Sequence, residues 1–554
     1  MAVEAREAPL SVDAAAPGVE FDPGRMAIGP QGVTPFYAPV GIDELHAVRD
    51  SFLTGLFAWL REQDIDRSRD AEVLWLCVPQ IVMEAMRLFH AQALQRRLRG
   101  AGYVLPDNGG SLFERIADGQ ENEPSIFMKV LRRGLQRDPR WRKAARALKS
   151  AYRSDGLPYR PRAFLRPARD IVTFSASDLV IAHARRESRP VFLSKFDEWL
   201  TPGSIGEDAL PEGIGSTARD ALIRLTDDAF KVAGESLSEA LMESLARLAK
   251  SLTQRVGFYL EELRGQSASL PRQLWVGSSG IVYNRLMARA VRSAGGEVVG
   301  HDHGTGSGWW QTYYQTITEL NYVDRFVTYS DAMAAGLRKS FRPDLLPSAD
   351  RVCAIESIAS STAAAERRQG PAPTVIDRPA ERAKPGKTAM YVPTAYTGDR
   401  VYLQPLLPDL VAVDWQARLF AYLRSEGYDI LVKPHPESPY PIPLELQERF
   451  GFTVVEGPFE QVADQADLLV FDYLQTSCIV SALNGDRPIV LIEFPRLRLD
   501  PEARALLSKR AAIVPGGFDD EGRAEVDWEA LGRAFESAAL LTDNAFVERY
   551  YPTI

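Results

Sequence analysis

Short apolar runs, each closed by a polar or glycine-rich break and followed by a helical pattern, recur through the second half of the chain. Residues 273–277, 297–300, 325–329, 389–392, 429–432, 453–456, 468–471 and 488–492 read as buried strands, because a strand covered on both faces loses its alternation and becomes continuously apolar. Between them, 281–293, the stretch from the cap at Ser330 to 340, 415–425, 476–483 and 528–541 carry helical spacing. Strands alternating with helices at this spacing predict parallel, doubly wound sheets. In the first half the pattern predicts a helix over 42–63, a buried strand over 71–78 turned at Pro79, and a helix over 80–99. A helical region follows over 217–264, with Leu237, Leu241, Leu245 and Leu248 as a core stripe.

Residues 1–40, rich in Ala, Pro and Gly, show no periodicity and read as a disordered or draped tail. The stretch 357–387 is low in large apolar residues and reads as a linker. At 554 residues the chain exceeds one ordinary core. The expected organisation is therefore a tail (1–40), a first Rossmann-like domain (41–360) with a helical insertion at about 105–265, a linker (361–387) and a second Rossmann-like domain (388–554).

Composition narrows the class. A net charge of −9 argues against a dedicated nucleic-acid binder. No run approaches the roughly 20 apolar residues of a membrane span. Glu4, Glu7 and Asp13 at the start do not resemble a signal peptide. Three cysteines without paired spacing indicate neither a disulfide framework nor a zinc site, so a reducing, cytoplasmic setting is expected. Residues 129–169 carry fourteen Lys or Arg interleaved with aromatics. That stretch is a solvated helical face or a patch for an anionic surface such as the inner face of a membrane.

Candidate chemistry gathers at three places. In ILVKPHP the two prolines stiffen the turn that presents His435 at the C-terminal end of a strand, where open α/β sheets bind ligands. Lys433 adds charge there or is a surface lysine. After the next apolar strand, Asp472, Gln475, Thr476 and Ser477 open a helix; the hydroxyls hold a phosphate or simply cap it. Asp472 orients His435, binds a ribose hydroxyl or only ends its strand. The third place is HDHGTGSGWW. Gly304 and Gly306, with Thr305 between them, let the backbone approach a ligand, and His303 is the candidate general base. His301 and His303 could instead bind a metal. Trp309 and Trp310 stack on a sugar ring or pack the loop. Asp302, Glu319 and Asp324 are secondary acid–base candidates.

These elements resemble GT-B-fold transferases of bacterial surface polysaccharides. VKPHP followed by DYLQTS and ALNGDRPIVL is similar to the His-Pro motif of capsule-type Kdo transferases and sialyltransferases. The resemblance implies a metal-independent glycosyltransferase with no cofactor, moving a Kdo- or sialic-acid-like sugar from a CMP-activated nucleotide sugar to a glycan, glycolipid or protein acceptor. It implies that His435, Pro436, Thr476 and Ser477 contact the nucleotide phosphate in a donor domain, and that the first domain holds the acceptor. A second likeness, through His303-Gly304-Thr305, is to polyol-phosphate transferases of teichoic acid synthesis that use CDP-glycerol; there the histidine is the base. The chain lacks the Pro-Leu-Lys-Lys continuation of that motif. Outside both enzyme readings stands a non-catalytic scaffold of the same fold.

Overall fold

The computed structural model describes residues 27–101, 170–359 and 387–552, apart from breaks at 35, 37, 39, 176, 188–190, 201–212, 304–306, 349–350, 352, 397–406, 436–437, 439–441 and 496–497. After a small hairpin, β1 (Ala27–Gly29) and β2 (Gly32–Thr34), the strands form two sheets. The first contains β3 (Ile171–Thr173), β4 (Phe192–Leu193), β5 (Gln273–Val276), β6 (Glu297–His301), β7 (Arg325–Thr328) and β8 (Ala354–Ser357) in the order β4-β3-β5-β6-β7-β8. All its pairings are parallel. The second contains β9 (Thr388–Val392), β10 (Asp429–Val432), β11 (Thr453–Val454), β12 (Leu468–Phe471), β13 (Ile489–Glu493), β14 (Ala512–Phe518) and β15 (Ala524–Val526). Its order is β11-β10-β9-β12-β13-β14-β15, parallel except for the last pair. The expected fold class, two doubly wound parallel sheets, is the one observed.

Both sheets are covered on both faces, which is why their strands lack alternation. On β12 of the second sheet, Leu468 and Val470 face one apolar layer, with Trp415 and Phe420 of the helix Asp409–Ser425. Leu469 and Phe471 face the other, with Ile479 and Phe546. In the first sheet, Leu274 and Val276 join the large layer built on helices Ile42–Gln63, Arg69–Gly100 and Glu239–Gly265. Trp275 packs on the opposite face with Leu179 and Val180.

Two expectations are corrected, and a third is decided between its alternatives. The run 71–78 is not a strand: it lies inside one 32-residue helix, Arg69–Gly100, with Pro79 in its interior. Ser68 caps it by accepting from the Ala71 N–H, and Asp70 and Glu72 suit its first turn. Its most apolar stretch is wholly buried within the protein. Burial on every side erased the helical period. Second, the region 105–265 is not purely a helical insertion, since it contributes β3, β4 and the helix Asp178–Glu187 to the first sheet layer. The helical stretch 217–264 is two helices, Ser216–Lys231 and Glu239–Gly265. Of the two forms expected for the tail, residues 27–34 take the draped one. The Val33 N–H donates to Asp414 (2.8 Å), and Arg523 donates to the carbonyls of Gln31 and Val33 (3.1 and 3.0 Å). The hairpin therefore sits on the second sheet's layer, while the helix Ile42–Gln63 just after it packs in the first. The basic stretch 129–169 and nearly all of the linker lie outside the described residues.

Candidate functional site

The second sheet reverses direction between β9 and β12: β10 lies on one side of β9, and β12 on the other. Such a switch point opens a crevice at the C-terminal ends of the strands. His435 follows β10 there, half-buried. Lys433 is not a surface lysine. It is 7% exposed, and its ammonium donates to the Pro434 carbonyl at 3.1 Å. No carboxylate among the described residues pairs with it. A buried ammonium of this kind is a standing attraction for an anion.

On the other side of the switch point, Asp472 is 4% exposed. Its Oδ2 accepts from the Tyr391 hydroxyl (2.5 Å) and Trp415 Nε1 (3.0 Å). That oxygen locks β9 and the helix Asp409–Ser425 to the end of β12. Thr476 is the N-cap of the helix Ser477–Leu483, accepting from the Cys478 N–H at 3.3 Å. Ser477 is exposed in the first turn, and Gln475 accepts from the Tyr473 hydroxyl at 2.7 Å.

The first sheet has its own switch point, between β3 and β5. The loop Gly277-Ser278-Ser279-Gly280 leaves β5 and enters the helix Val282–Ser293. Beside it, β6 ends in His301, Asp302 and His303. His301 and His303 do not converge on one ligand. The ring of His301 is buried, its Nε2 2.8 Å from Nδ1 of His183, next to the Trp275 ring; His303 is exposed. Burial holds both His301 and His183 below the usual imidazole range, His183 at about 4.

Glu319 comes into the same place from the far side of the glycine loop. It is 6% exposed and accepts from the Ser278 hydroxyl (3.0 Å) and the Ser279 N–H (2.5 Å). Burial pushes its carboxyl up, the nearby His303 and the two serine hydrogen bonds pull it down, and Asp302 adds to the rise. Asp302 is 2% exposed, with its N–H on the Val327 carbonyl at 2.9 Å. Asp324 lies elsewhere: it pairs with Arg292 (3.0 Å) and accepts from the Val298 N–H, bracing the opposite end of β6. The structure thus brings His303, Asp302 and Glu319 together and leaves Asp324 out. Sequence reading missed Ser278 and Ser279; the signal available was their position at a strand end in a Gly-Ser-Ser-Gly turn.

Trp309 and Trp310 do not offer a face to a sugar. They are 0% and 3% exposed and insert into the second sheet's apolar layer. Trp309 Nε1 donates to the Tyr551 hydroxyl (2.9 Å), and its ring meets Phe546 edge-on. Trp310 pairs with Leu499 as an antiparallel bridge, Gln311 donates to the Arg498 carbonyl, and the Asp500 N–H donates to the Trp309 carbonyl. Gly308, at φ +84°, presses on the backbone of the helix Asp331–Ser340, where a Cβ would collide with the Met333 carbonyl. Gly304, Thr305, Gly306 and Pro436 lie outside the described residues.

The fold and these two sites define a protein of two Rossmann-like units, with a buried lysine and a histidine at one switch point and a histidine–carboxylate group at the other. No family model matches the chain, and no curated protein sequence matches it. Among solved structures it is similar to the lipopolysaccharide outer core galactosyltransferase WaaB in its apo form, at 13% identity and a TM-score of 0.29, over 54% of this chain and 77% of that one. It is also similar to the glycosyltransferase SnogD from Streptomyces nogalater, at 12% identity and a TM-score of 0.22, over 53% and 77%. Both likenesses are partial, and the chemistry rests on this chain's own residues.

Proposed function

We propose that the protein is a glycosyltransferase of the GT-B type that takes a CMP-activated sugar, of the Kdo or sialic acid class, and transfers it to a hydroxyl of a glycan, glycolipid or protein acceptor. The observation that carries the reading is the buried ammonium of Lys433, with no carboxylate partner among the described residues, at the edge of a Rossmann switch point beside His435. A phosphate of the donor supplies the missing negative charge, and the same groups stabilise the nucleotide as it leaves. No metal enters this scheme, because the protein itself provides the positive field. At the other switch point His303 accepts the proton of the acceptor hydroxyl, with Glu319 and Asp302 adjacent. Fixing donor and acceptor on separate sheets turns a bimolecular displacement into an effectively unimolecular one. The site of action proposed is the cytoplasmic face of the inner membrane, on the basis of the basic stretch 129–169.

Calorimetry with CMP, CDP, UDP, GDP and dTDP tests the donor assignment. The expected result is preferential CMP binding that Lys433→Met weakens at least tenfold, about 1.4 kcal/mol, and that His435→Ala also weakens. Preference for CDP with turnover of CDP-glycerol would move the assignment to polyol-phosphate transfer. Absence of binding by any of the five would leave the scaffold reading.

A further inference from the structure

The group that organises the first switch point is one the proposed mechanism does not use, Arg285. It sits in the first turn of the helix Val282–Ser293, is wholly buried, and has no carboxylate in ion-pair range among the described residues. Instead its guanidinium is divided among neutral acceptors. Nη1 donates to the carbonyls of Ser279 (2.7 Å) and Gly280 (2.8 Å), Nε to the carbonyl of Leu76 in the long core helix (2.8 Å), and Nη2 to the side chain of Gln80. The Tyr322 ring lies against it, with the guanidinium carbon 5.3 Å from the ring centre. Asn284, one residue earlier, holds the Ser278 carbonyl. Every carbonyl of Ser278-Ser279-Gly280 is thereby gripped from behind by two consecutive side chains of the helix.

A peptide whose carbonyl is fixed has the next residue's N–H fixed as well. Arg285, on the Ser279 carbonyl, fixes the Gly280 N–H, which donates to the Ser278 hydroxyl (3.2 Å), while Asn284, on the Ser278 carbonyl, fixes the Ser279 N–H. The free side of this turn presents the Ser279 N–H and the Ser278 hydroxyl, and both are directed at the Glu319 carboxylate. We infer that Arg285 is a positioning residue: through the Ser278–Gly280 turn it sets where the Glu319 carboxylate stands and how many donors it receives. Rigidity of this kind needs a planar fork that reaches several carbonyls at once, which a lysine cannot reproduce. The groups facing Glu319 are the turn itself, His303 and Asp302, with the Arg285 guanidinium and the Tyr322 hydroxyl acting on it through space. Arg285→Lys keeps the positive charge and removes the fork. Loosening the turn withdraws donors from the ionised carboxylate and so favours its protonated form. The inference deepens the proposed reaction only in that His303, the base there, lies beside Glu319.

The test is spectroscopic and needs no substrate. Infrared difference spectra of wild type minus Glu319→Gln, recorded across pH, isolate the Glu319 carboxyl stretch and its titration midpoint. Ser278→Ala, which deletes one donor, calibrates the response and is expected to move the midpoint upward. Arg285→Lys is expected to move it in the same direction. Should that variant fail to fold, Gln80→Leu, which removes one acceptor from Arg285 and leaves the arginine in place, is expected to do the same to a smaller extent. A fall in thermal stability with an unmoved midpoint in both would overturn the inference, since a merely structural arginine gives that result. A downward shift, reporting water entry rather than lost donors, would overturn it too. Wild-type CMP calorimetry run alongside separates the two claims: absence of binding counts against the proposed function and leaves the carboxyl result standing.

Discussion

Replacing Trp309 with alanine tests how the two sheets are joined. The side chain leaves the chain that forms the first sheet and is buried at 0% exposure in the layer that covers the second. A buried indole removes about 200 Å² from water. At about 25 cal/mol per Å² that is roughly 5 kcal/mol, in line with the roughly 3–5 kcal/mol measured for large aromatic truncations in cores. Trp309→Phe keeps most of the area and loses the hydrogen bond to Tyr551 and a small volume, so its cost is expected nearer about 1–2 kcal/mol. Tyr551→Phe leaves the indole N–H without that acceptor and should cost roughly 1–3 kcal/mol. Urea unfolding followed by circular dichroism gives all three values. If the anchor joins the units, Trp309→Ala also splits a single transition into two, the second-sheet unit unfolding first. A Trp309→Ala protein within about 1 kcal/mol of wild type and still unfolding in one step would refute the anchoring role.

Further outcomes follow from buried charge. Asp414 is fully buried between Arg418 (2.8 Å), Arg523 (3.7 Å) and the Val33 N–H; Asp414→Asn should cost roughly 3–5 kcal/mol, and brief proteolysis should then cut near residue 30, which an intact variant protein would contradict. Lys433→Met should leave unfolding free energy unchanged or higher, since it removes a buried charge that no described carboxylate neutralises; a loss above about 1 kcal/mol would mean the ammonium has a structural role. Stability should fall as pH drops from about 6.5 towards about 4. Burial lowers His183, like His46, to about 4 in the folded chain, so the unfolded chain binds more protons across that window and protonation favours it. Urea midpoints measured at pH 7 and pH 5 check this, and His46→Gln should flatten the slope; a level profile would contradict the burial.

What the sequence disclosed depended on how each segment is buried. Strands β5, β7, β10 and β12 were legible because a run of about four apolar residues between two breaks is too short for a helix and too apolar for a loop. Strands β3, β4 and β8 were not, being two to four residues long beside charged segments. The helix Arg69–Gly100 failed for the opposite reason: a helix with no exposed face has no period, and Pro79 looked like a turn. At the sites, strand-end position singled out His303, His435 and Lys433. It could not reveal that His301, two residues from His303, faces inward to His183, nor that the tryptophans after the glycines belong to the other unit's core. Ser278, Ser279 and Arg285 are ordinary residues in sequence, and only the folded turn brings them to Glu319.

The ordered hairpin at 27–34 constrains how the molecule can be made. Its acceptor at Asp414 lies 381 residues further along the chain, and the carbonyl contacts of Arg523 span more than 480. At a synthesis rate of about 5–20 residues per second, the hairpin waits roughly 20–80 s for even the nearer of these partners. During that interval the segment lacks those partners, and an isolated two-stranded hairpin is at best marginally stable in water. The first unit can mature while its leading segment is still unmated, and assembly completes by capture of that segment from the rear. Fragments ending before residue 414 would therefore carry a hairpin with nowhere to dock, a ready mark by which quality control could tell an unfinished chain from a finished one.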